Sequence, residues 1–169
     1  QSYTVAVTRA ASSDATLSAL ALSQGSLSPS FASGTLAYTA SVAHSVSSLI
    51  VTPTTNDANA TATVNGASAA TPVTLAVGSN TVTVQVTAQD GTTIQSYTVA
   101  VTRAASSDAT LSALTLSSGS LSPSFASGTL AYTASVAYSV SSLIVTPTVN
   151  DANATATVNG ASAATPVTL

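Results

Sequence analysis

The chain repeats itself almost without change after 94 positions, since Gln1 returns as Gln95. Residues 1–75 can be compared directly with residues 95–169, and only four positions differ between them. The differing pairs are Ala21 and Thr115, Gln24 and Ser118, His44 and Tyr138, and Thr55 and Val149. A period of this length is that of one ordinary domain and exceeds the roughly 20–50 residues of a solenoid unit. The repeat therefore predicts successive copies of one small domain, each with a modest core of its own.

The pattern within the repeat is the two-residue alternation of a β-strand. Residues 81–87 place Val82, Val84 and Val86 on one face and polar side chains on the other. Residues 97–102 do the same with one tyrosine and two valines. Thr and Val favour pleated, half-buried strands and are poor helix formers. The repeat is therefore predicted to be all-β.

Turn signals separate the alternating runs. Asn65-Gly66 and Asp90-Gly91 favour the positive φ angles of tight hairpins, and Gly78-Ser79-Asn80 marks a further reversal. Seven strands are predicted, at approximately residues 16–23, 35–43, 48–54, 60–65, 70–77, 80–89 and 93–103. Short strands at this spacing, with one polar face each, predict an antiparallel β-sandwich. The predicted core consists of Leu20, Leu22, Leu27, Phe31, Tyr38, Val42, Leu49, Val51, Val64, Val82, Val84, Val86, Tyr97, Val99 and Val101.

The repeat divides the chain into three parts. Residues 1–10 correspond to the closing strand of a preceding repeat, residues 14–104 to a complete β-sandwich repeat, and residues 108–169 to a second repeat that lacks its last strands. This division favours a window cut from a longer array. Donation of residues 1–10 to the unfinished repeat of another chain is the alternative, by strand addition. It is weakened because a donated segment supplies the final strand but not the strand matching residues 80–89.

The seam between repeats, residues 103–108, is short and contains neither Gly nor Pro. Such a linker restricts the angle between domains, so we expect tandem domains in a semi-rigid, elongated array. Arg103 lies five residues before Asp108, as Arg9 does before Asp14, and this spacing predicts an Arg–Asp ion pair across each seam. If exposed, such a pair contributes at most about 1 kcal/mol.

The low charge excludes several classes of function. Two Arg and five Asp, without Lys or Glu, give a net charge of −3, so the chain cannot neutralise the backbone of a nucleic acid. Without Cys it has neither disulfides nor thiolate metal sites. Its mean hydropathy is +0.45, yet Ser and Thr interrupt every apolar run long before the ~20 residues that a membrane-spanning helix needs. We therefore expect no nucleic-acid partner and no membrane span in this segment.

Spaced Gly, Pro, Asn-Gly, Asp-Gly and Tyr residues follow one another in a specific order along the repeat. They lie in a series that comprises Asp14–Leu20, Leu22, Ser23, Gly25, Leu27–Pro29, Phe31, Tyr38, Val42, Val64–Gly66, Gly78–Asn80, Val84, Val86, Ala88, Asp90, Gly91, Tyr97, Val99 and Val101–Arg103. This series resembles the bacterial cadherin-like β-sandwich domain, an Ig-like repeat of large cell-surface proteins. The resemblance implies an extracellular, non-catalytic spacer or adhesive module, with no shared catalytic or ligand residues to carry over. The acidic interdomain calcium motifs of true cadherins are not seen, which argues against linkers stiffened by calcium.

His44 is the only histidine and therefore the first candidate for a catalytic or metal-binding role. Its counterpart is Tyr138, so we interpret both as amphipathic rings that cover a strand edge or loop. A serine nucleophile needs a base held beside it, and no Gly-x-Ser-x-Gly elbow is present. The aspartates are scattered one per loop and offer no glycosidase pair. The chain is predicted not to be an enzyme and to have no catalytic, cofactor-binding or metal residues.

Two polar loops contain candidate oxygen ligands and N-glycosylation sequons. Residues 56–59 and 150–153 could offer oxygen ligands to Ca²⁺, but one carboxylate per loop favours a plain polar turn. Asn59-Ala60-Thr61 and Asn153-Ala154-Thr155 are N-glycosylation sequons, and turn chemistry explains them at least as well. Glycans are therefore possible partners, including O-linked glycans on the Ser/Thr-rich loops.

The leading hypothesis is a structural repeat of an extracellular bacterial surface filament, fibre or stalk. Near-identical copies favour a role in extending the length of the protein over a set of different binding sites. A chain without Cys or Met also resists oxidation. Its partners are then the neighbouring repeats and identical chains in a fibre. The alternative is an adhesin whose repeats project or form a binding surface. Its few candidate contacts are Tyr38, Tyr132, Tyr138 and the two Phe, most of which we expect to be buried. A carbohydrate-binding accessory module is a third hypothesis, disfavoured because no Trp is present to stack on sugar rings.

Overall fold

A computed structural model describes all of residues 1–169, and every regular element in it is a β-strand. The all-β prediction is confirmed. The chain divides into two compact units, residues 1–105 and residues 106–169. The structure contains no helix that is long and apolar enough to cross a membrane.

The first unit contains nine strands around one buried core. They are β1 (Leu17–Leu22), β2 (Ala37–Val42), β3 (Ser48–Leu49), β4 (Val51–Thr55), β5 (Thr61–Val64), β6 (Ala67–Ser68), β7 (Val73–Thr74), β8 (Gly78–Thr87) and β9 (Ile94–Arg103). Five strands form one sheet in the order β2-β9-β8-β5-β6, while β1 pairs with β4 and β3 with β7. Side chains from the sheet and from both strand pairs meet in the same hydrophobic cluster.

The β8–β9 hairpin is the centre of the first unit. Its two ten-residue strands pair antiparallel along their full length, from Gly78 opposite Arg103 to Thr87 opposite Ile94. The alternating apolar residues of both strands are fully buried, as their period-two pattern predicted. The six side chains are Val82, Val84, Val86, Tyr97, Val99 and Val101.

The Asn-Gly turn confirms its predicted hairpin. Val64 pairs with Ala67, so the loop between β5 and β6 consists of Asn65 and Gly66 alone. Both residues have positive φ, at 49° and 78°, which is the backbone of a type I′ turn. The Asn65 side chain also accepts a hydrogen bond from the Thr83 amide at 2.9 Å, which ties the turn to β8.

One strand pair departs from the predicted antiparallel arrangement. β2 runs parallel to β9, with Ala37 opposite Thr98 and Val42 opposite Arg103. The remaining ladders of this unit are antiparallel. Because β2 and β9 are separated by most of the repeat, no local turn signal could reveal this pairing.

Two predicted strands are broken by the structure. Residues 48–54 form two strands rather than one, because β3 pairs with β7 and β4 pairs with β1 on either side of Ile50. Residues 70–77 contribute only the two residues of β7. The predicted reversal at residues 78–80 is the beginning of β8, and the reversal itself lies just before it. There the Asn80 side chain binds the amide and the carbonyl of Ala76, both at 2.8 Å.

The predicted core is largely correct. Three of its residues, Leu22, Leu27 and Phe31, are only partly buried and pack against the buried cluster, and the other twelve are buried. The prediction missed Ala15, Leu17, Ala40, Ala60, Leu75 and Ala88. Leu17 was missed because the pairing of β1 with β4 shifts between Leu17 and Ala19, so strict alternation does not hold there.

The second unit contains eight shorter strands. They are β10 (Leu111–Leu116), β11 (Leu121–Ser122), β12 (Thr133–Ala134), β13 (Ser142–Leu143), β14 (Val145–Val149), β15 (Thr157–Val158), β16 (Ala161–Ser162) and β17 (Val167–Thr168). Its pairs β10-β14, β13-β17 and β15-β16 repeat pairs of the first unit. No residue of this unit is buried, whereas the first unit contains eighteen buried apolar residues.

Residues 1–10 lie outside every strand, and all ten are exposed. A strand exists only through its hydrogen-bonded neighbours, and this segment has none in the structure. The assignment of residues 1–10 to a preceding repeat therefore stays a prediction.

Candidate functional site

The end of β9 carries a charged side chain, that of Arg103, which three hydrogen bonds anchor. The Arg103 guanidinium donates from Nε and Nη2 to the carbonyl of His44, at 2.9 and 2.7 Å, and from Nη1 to the carbonyl of Leu75, at 2.9 Å. The next amide, that of Ala104, donates to the carbonyl of Val42 at 3.0 Å. These bonds hold the start of the seam firmly on the first unit.

The predicted Arg–Asp ion pairs are wrong. The Asp108 carboxylate accepts hydrogen bonds from the amide and hydroxyl of Thr110 and from the Asn150 side chain, at 2.9, 2.6 and 2.6 Å. Together these bonds lower the pKa of Asp108, and the bond from the Thr110 hydroxyl has the largest effect. Because Arg103 is occupied by carbonyls and Asp108 by neutral donors, each charge is satisfied within its own unit.

The upstream copy of the seam, residues 9–14, is hydrogen-bonded to the first unit through Ser12. The Ser12 amide donates to Oε1 of Gln89 at 3.1 Å, and the Asp90 amide donates to the Ser12 carbonyl at 3.0 Å. Asp14 repeats the contacts of its counterpart, with Thr16 and Asn56 as donors. The turn between β8 and β9 thus holds the linker that enters the first unit.

That turn is organised by Asp90. Its Oδ1 accepts from the amides of Thr92 and Thr93 at 2.8 Å each, and its Oδ2 accepts from the Thr93 hydroxyl at 2.6 Å. The Thr93 hydroxyl has the largest effect, and together these bonds lower the pKa of Asp90 to about 2. Gly91 has a φ of 71°, as the Asp-Gly signal predicted. The carboxylate is a structural cap of the hairpin.

His44 contributes its backbone to the site. Its carbonyl oxygen is the main acceptor of the Arg103 guanidinium, and this contact does not depend on the identity of the side chain. This contact is therefore compatible with the tyrosine that the second copy has at the corresponding position, Tyr138. His44 is half-buried, and no group of three or more His, Cys, Asp or Glu side chains is placed to hold a metal ion.

Residues 56–59 form the polar turn between β4 and β5. Oδ1 of Asp57 accepts from the amide and side chain of Asn59, at 2.8 and 3.2 Å. The Ser12 side chain, followed by the Asn59 amide, lowers the pKa of Asp57. A depression of about 340 Å³ lies beside this turn, lined by Arg9, Ala10, Ala11, Ser12, Asp57, Asn59 and Gln89. Asn59, the acceptor of the first sequon, is exposed.

The tyrosines proposed as adhesive contacts differ in exposure. Tyr38 is buried, and its ring stacks on Phe31 at 6.1 Å. Its hydroxyl lies 2.9 Å from the carbonyl oxygens of Ala32 and Thr35, which share its single proton. Tyr132 keeps the stacked Phe125 but is only half-buried. Tyr138 is fully exposed. The complete repeat therefore buries the tyrosine that the adhesin hypothesis would display.

Two structural contacts were missed in the sequence analysis. The buried Tyr97 hydroxyl accepts a hydrogen bond from the Leu17 amide at 3.0 Å and so joins β9 to β1 across the core. Arg103 was assigned to an ion pair, although one signal was present: each of the two arginines directly ends the same strand-like segment. That position favours contacts with the neighbouring loop carbonyls over contacts with a side chain five residues away.

Comparison with known families agrees with this architecture. The family model described as the cadherin-like beta sandwich domain matches residues 12–104 and residues 111–169. A search of the curated proteins finds no match to the chain. The two matched segments together cover most of the chain, and a domain of this kind points to a structural or adhesion-type repeat module. The chain therefore belongs to the cadherin-like β-sandwich domain family.

Proposed function

We propose that the chain is a non-catalytic structural repeat of an extracellular bacterial filament, fibre or stalk. The observation that carries this proposal is the way in which each end of the linker is held. Arg103 and Ala104 are bonded to the unit that they leave, and Ser12, the counterpart of Ser106, is bonded to the unit that it enters. One residue, Ala105, separates Ala104 from Ser106, the position that corresponds to Ser12.

A joint of one residue restricts how successive repeats can move. A flexible linker needs several freely rotating residues. In the first unit, the residues that leave it, Arg103 and Ala104, and the residue that precedes it, Ser12, all take part in its hydrogen bonds. Repetition then adds length while the joint limits bending, which is what a stalk requires. The near-identity of the two copies supports a role in which repeats add length, rather than one in which each repeat has a different binding site.

The contacts of the polar side chains also support a structural role. The carboxylates of Asp14, Asp90 and Asp108 are all occupied by local caps and turns. The single histidine acts through its carbonyl. These contacts give the three carboxylates and the His44 carbonyl a structural role, which supports a repeat that is not catalytic.

The test is the shape of an array built from several complete 94-residue repeats. We expect rods in electron micrographs, with a length that increases in proportion to the number of repeats. A flexible Gly-Ser insertion after Ala105 and its equivalents should turn the rods into jointed chains. The same insertion after Gly34, an open loop position, is the matched control and should leave the rods straight. Dispersed globules in place of rods would overturn the proposal.

A further inference from the structure

We propose that Asn59 accepts an N-linked glycan in the folded protein. It lies in the turn between β4 and β5, inside the complete repeat, and it opens the sequon Asn59-Ala60-Thr61. Asn59 and Thr61, the two residues that define a sequon, are both exposed. The equivalent Asn153, which follows a complete repeat in the chain, is exposed as well.

Turn chemistry, the other explanation of the sequon, accounts for Asp57 but not for Asn59. Oδ1 of Asp57 accepts the Asn59 amide at 2.8 Å, and the Ala60 amide donates to the Asp57 carbonyl at 3.1 Å. These two bonds close the turn through the Asp57 side chain and through backbone atoms. The Asn59 side chain adds one longer contact, from Nδ2 to the same Oδ1 at 3.2 Å. The turn therefore does not need an asparagine at this position.

The other three asparagines of this repeat bind segments that are distant in the sequence. Nδ2 of Asn56 donates to Oδ2 of Asp14 at 2.8 Å. Oδ1 of Asn65 accepts an amide of β8 at 2.9 Å, and Nδ2 of Asn80 donates to a carbonyl of β9 at 3.3 Å. Of the four, only Asn59 has a side chain whose hydrogen bond stays within its own turn. A glycan on Asn59 therefore leaves the contacts between strands intact.

Thr61, the first residue of β5, is free in the same way. Its backbone pairs with Thr87 of β8, whereas its exposed hydroxyl forms no hydrogen bond within the protein. The hydroxyl at this position is part of what makes a sequon an acceptor. A transferase reaches both polar side chains once the two hydrogen bonds that close the turn open locally, while β5 stays paired with β8.

The group transferred is an oligosaccharide carried on a lipid pyrophosphate. Nδ2 of Asn59 forms a bond to C1 of the first sugar as the bond between C1 and the pyrophosphate oxygen breaks. The lipid pyrophosphate leaves with the electron pair of that bond, and Nδ2 gives up one proton to the transferase. Nothing is oxidised or reduced. The side chain remains an amide, so the step adds a bulky, solubilising group to an exposed turn.

Glycan transfer to the folded 169-residue chain tests the site. The chain is incubated with a purified oligosaccharyltransferase that reads N-x-S/T sequons and with a lipid-linked oligosaccharide, and is then cleaved with trypsin after Arg9 and Arg103. Because the chain has no Lys, the two larger peptides, residues 10–103 and 104–169, contain one sequon each. Mass spectrometry should find one glycan on residues 10–103, and Asn59→Gln should abolish it.

A matched control moves the sequon to an asparagine that the fold uses. Ala67→Thr completes an N-x-T sequon at Asn65 and is combined with Asn59→Gln. Asn65 is exposed, but its side chain holds the Thr83 amide, so transfer to it in the folded chain should be much slower than transfer to Asn59. Synthetic peptides with either sequon are the unfolded acceptors, and both should be modified. Equal transfer to the two folded chains, or an unmodified Asn59 beside a modified peptide, overturns the inference.

Thermal unfolding separates a modification site from a structural asparagine. Asn59→Gln should shift the melting temperature of the first unit by no more than about 3 °C, as expected of a surface substitution. Asn80→Ala should lower it further, because the amide and the carbonyl of Ala76 both lose their partner. Equal losses in the two variants would show that the turn requires Asn59 and would overturn the inference. Either result leaves the stalk proposal intact, because that proposal depends on the joint between repeats.

Discussion

The sequence QSYTVAVTRA occurs twice, and the structure places its two copies in opposite environments. In residues 95–104, Tyr97, Val99 and Val101 are fully buried between two neighbouring strands. In residues 1–10 the same side chains are almost fully exposed, and the backbone forms no strand. The difference shows that alternation decides which face of a strand is apolar, while burial depends on the strands beside it.

The two units extend this comparison. Leu17, Tyr38 and Val51 are buried in the first unit, whereas their counterparts in the second unit are half-buried. The second unit contains no strand equivalent to β8 or β9. Since those two strands supply six fully buried side chains of the first core, the remaining strands of the second unit have too little apolar surface to pack against.

The largest expected effect comes from removing the buried ring. Tyr97→Ala should destabilise the first unit by about 3–5 kcal/mol, because a large side chain leaves a cavity in a packed core. Tyr3→Ala, the same change in the exposed copy, should alter the stability of that unit by no more than about 0.5 kcal/mol. Hydrogen exchange of the β8 amides, followed in urea, measures both. Equal losses of stability in the two variants would contradict the view that neighbouring strands decide how much this sequence contributes to stability.

The second-largest expected effect comes from removing the arginine side chain at the end of β9. Arg103→Ala should cost the first unit about 2 kcal/mol, since the carbonyls of His44 and Leu75 lose a charged donor. Arg9→Ala should cost that unit almost nothing when measured in dilute solution. His44→Tyr is a further control and should stay within about 0.5 kcal/mol, because the carbonyl is retained. Urea unfolding of the three variants checks the order, and a large loss in His44→Tyr would show that the imidazole itself matters.

The smallest expected effect comes from changing Asp90 in the turn between β8 and β9. The hydrogen bonds of Asp90 lower its folded pKa to about 2, below the value of about 4 expected in the unfolded chain. The stability that this group contributes is therefore fully present above pH 4 and is lost as the pH falls towards 2. We expect Asp90→Asn to be less stable than the natural chain at neutral pH.

Thermal melts between pH 7 and pH 2 measure this difference. The gap between the two chains should narrow below pH 4 and close near pH 2. A gap that is constant over the whole range would show that the Asn side chain fails for a reason other than its charge.

Much of the fold could be predicted because the signals were local. The alternating valines of residues 81–87 and 97–101 identified the buried face of the central hairpin correctly. Asn65-Gly66 identified a two-residue turn, since few residues other than Gly and Asn adopt positive φ without strain. These features depend only on residues near one another in the chain.

Other features could not be predicted because they depend on distant partners. The shift between Leu17 and Ala19 exists only in the pairing with β4, and it brings Leu17 into the core against strict alternation. The break at Ile50 arises because the two halves of one predicted strand pair with different partners. The ion pair of Arg103 failed for a similar reason. The prediction used only the five-residue spacing between Arg103 and Asp108. Folding instead places the carbonyls of His44 and Leu75 beside the Arg103 guanidinium.

By itself, the sequence determined that the chain is all-β, that a sequence recurs in it after 94 positions, and which face of each long strand is apolar. Side-chain alternation and turn chemistry are properties of neighbouring residues, so they survive without knowledge of the fold. Only the tertiary structure decided that β2 lies parallel to β9, that Tyr97 bonds across the core, and that the seam is held by carbonyls. Backbone amides and carbonyls are chemically alike at every position, and only folding selects the pairs that meet.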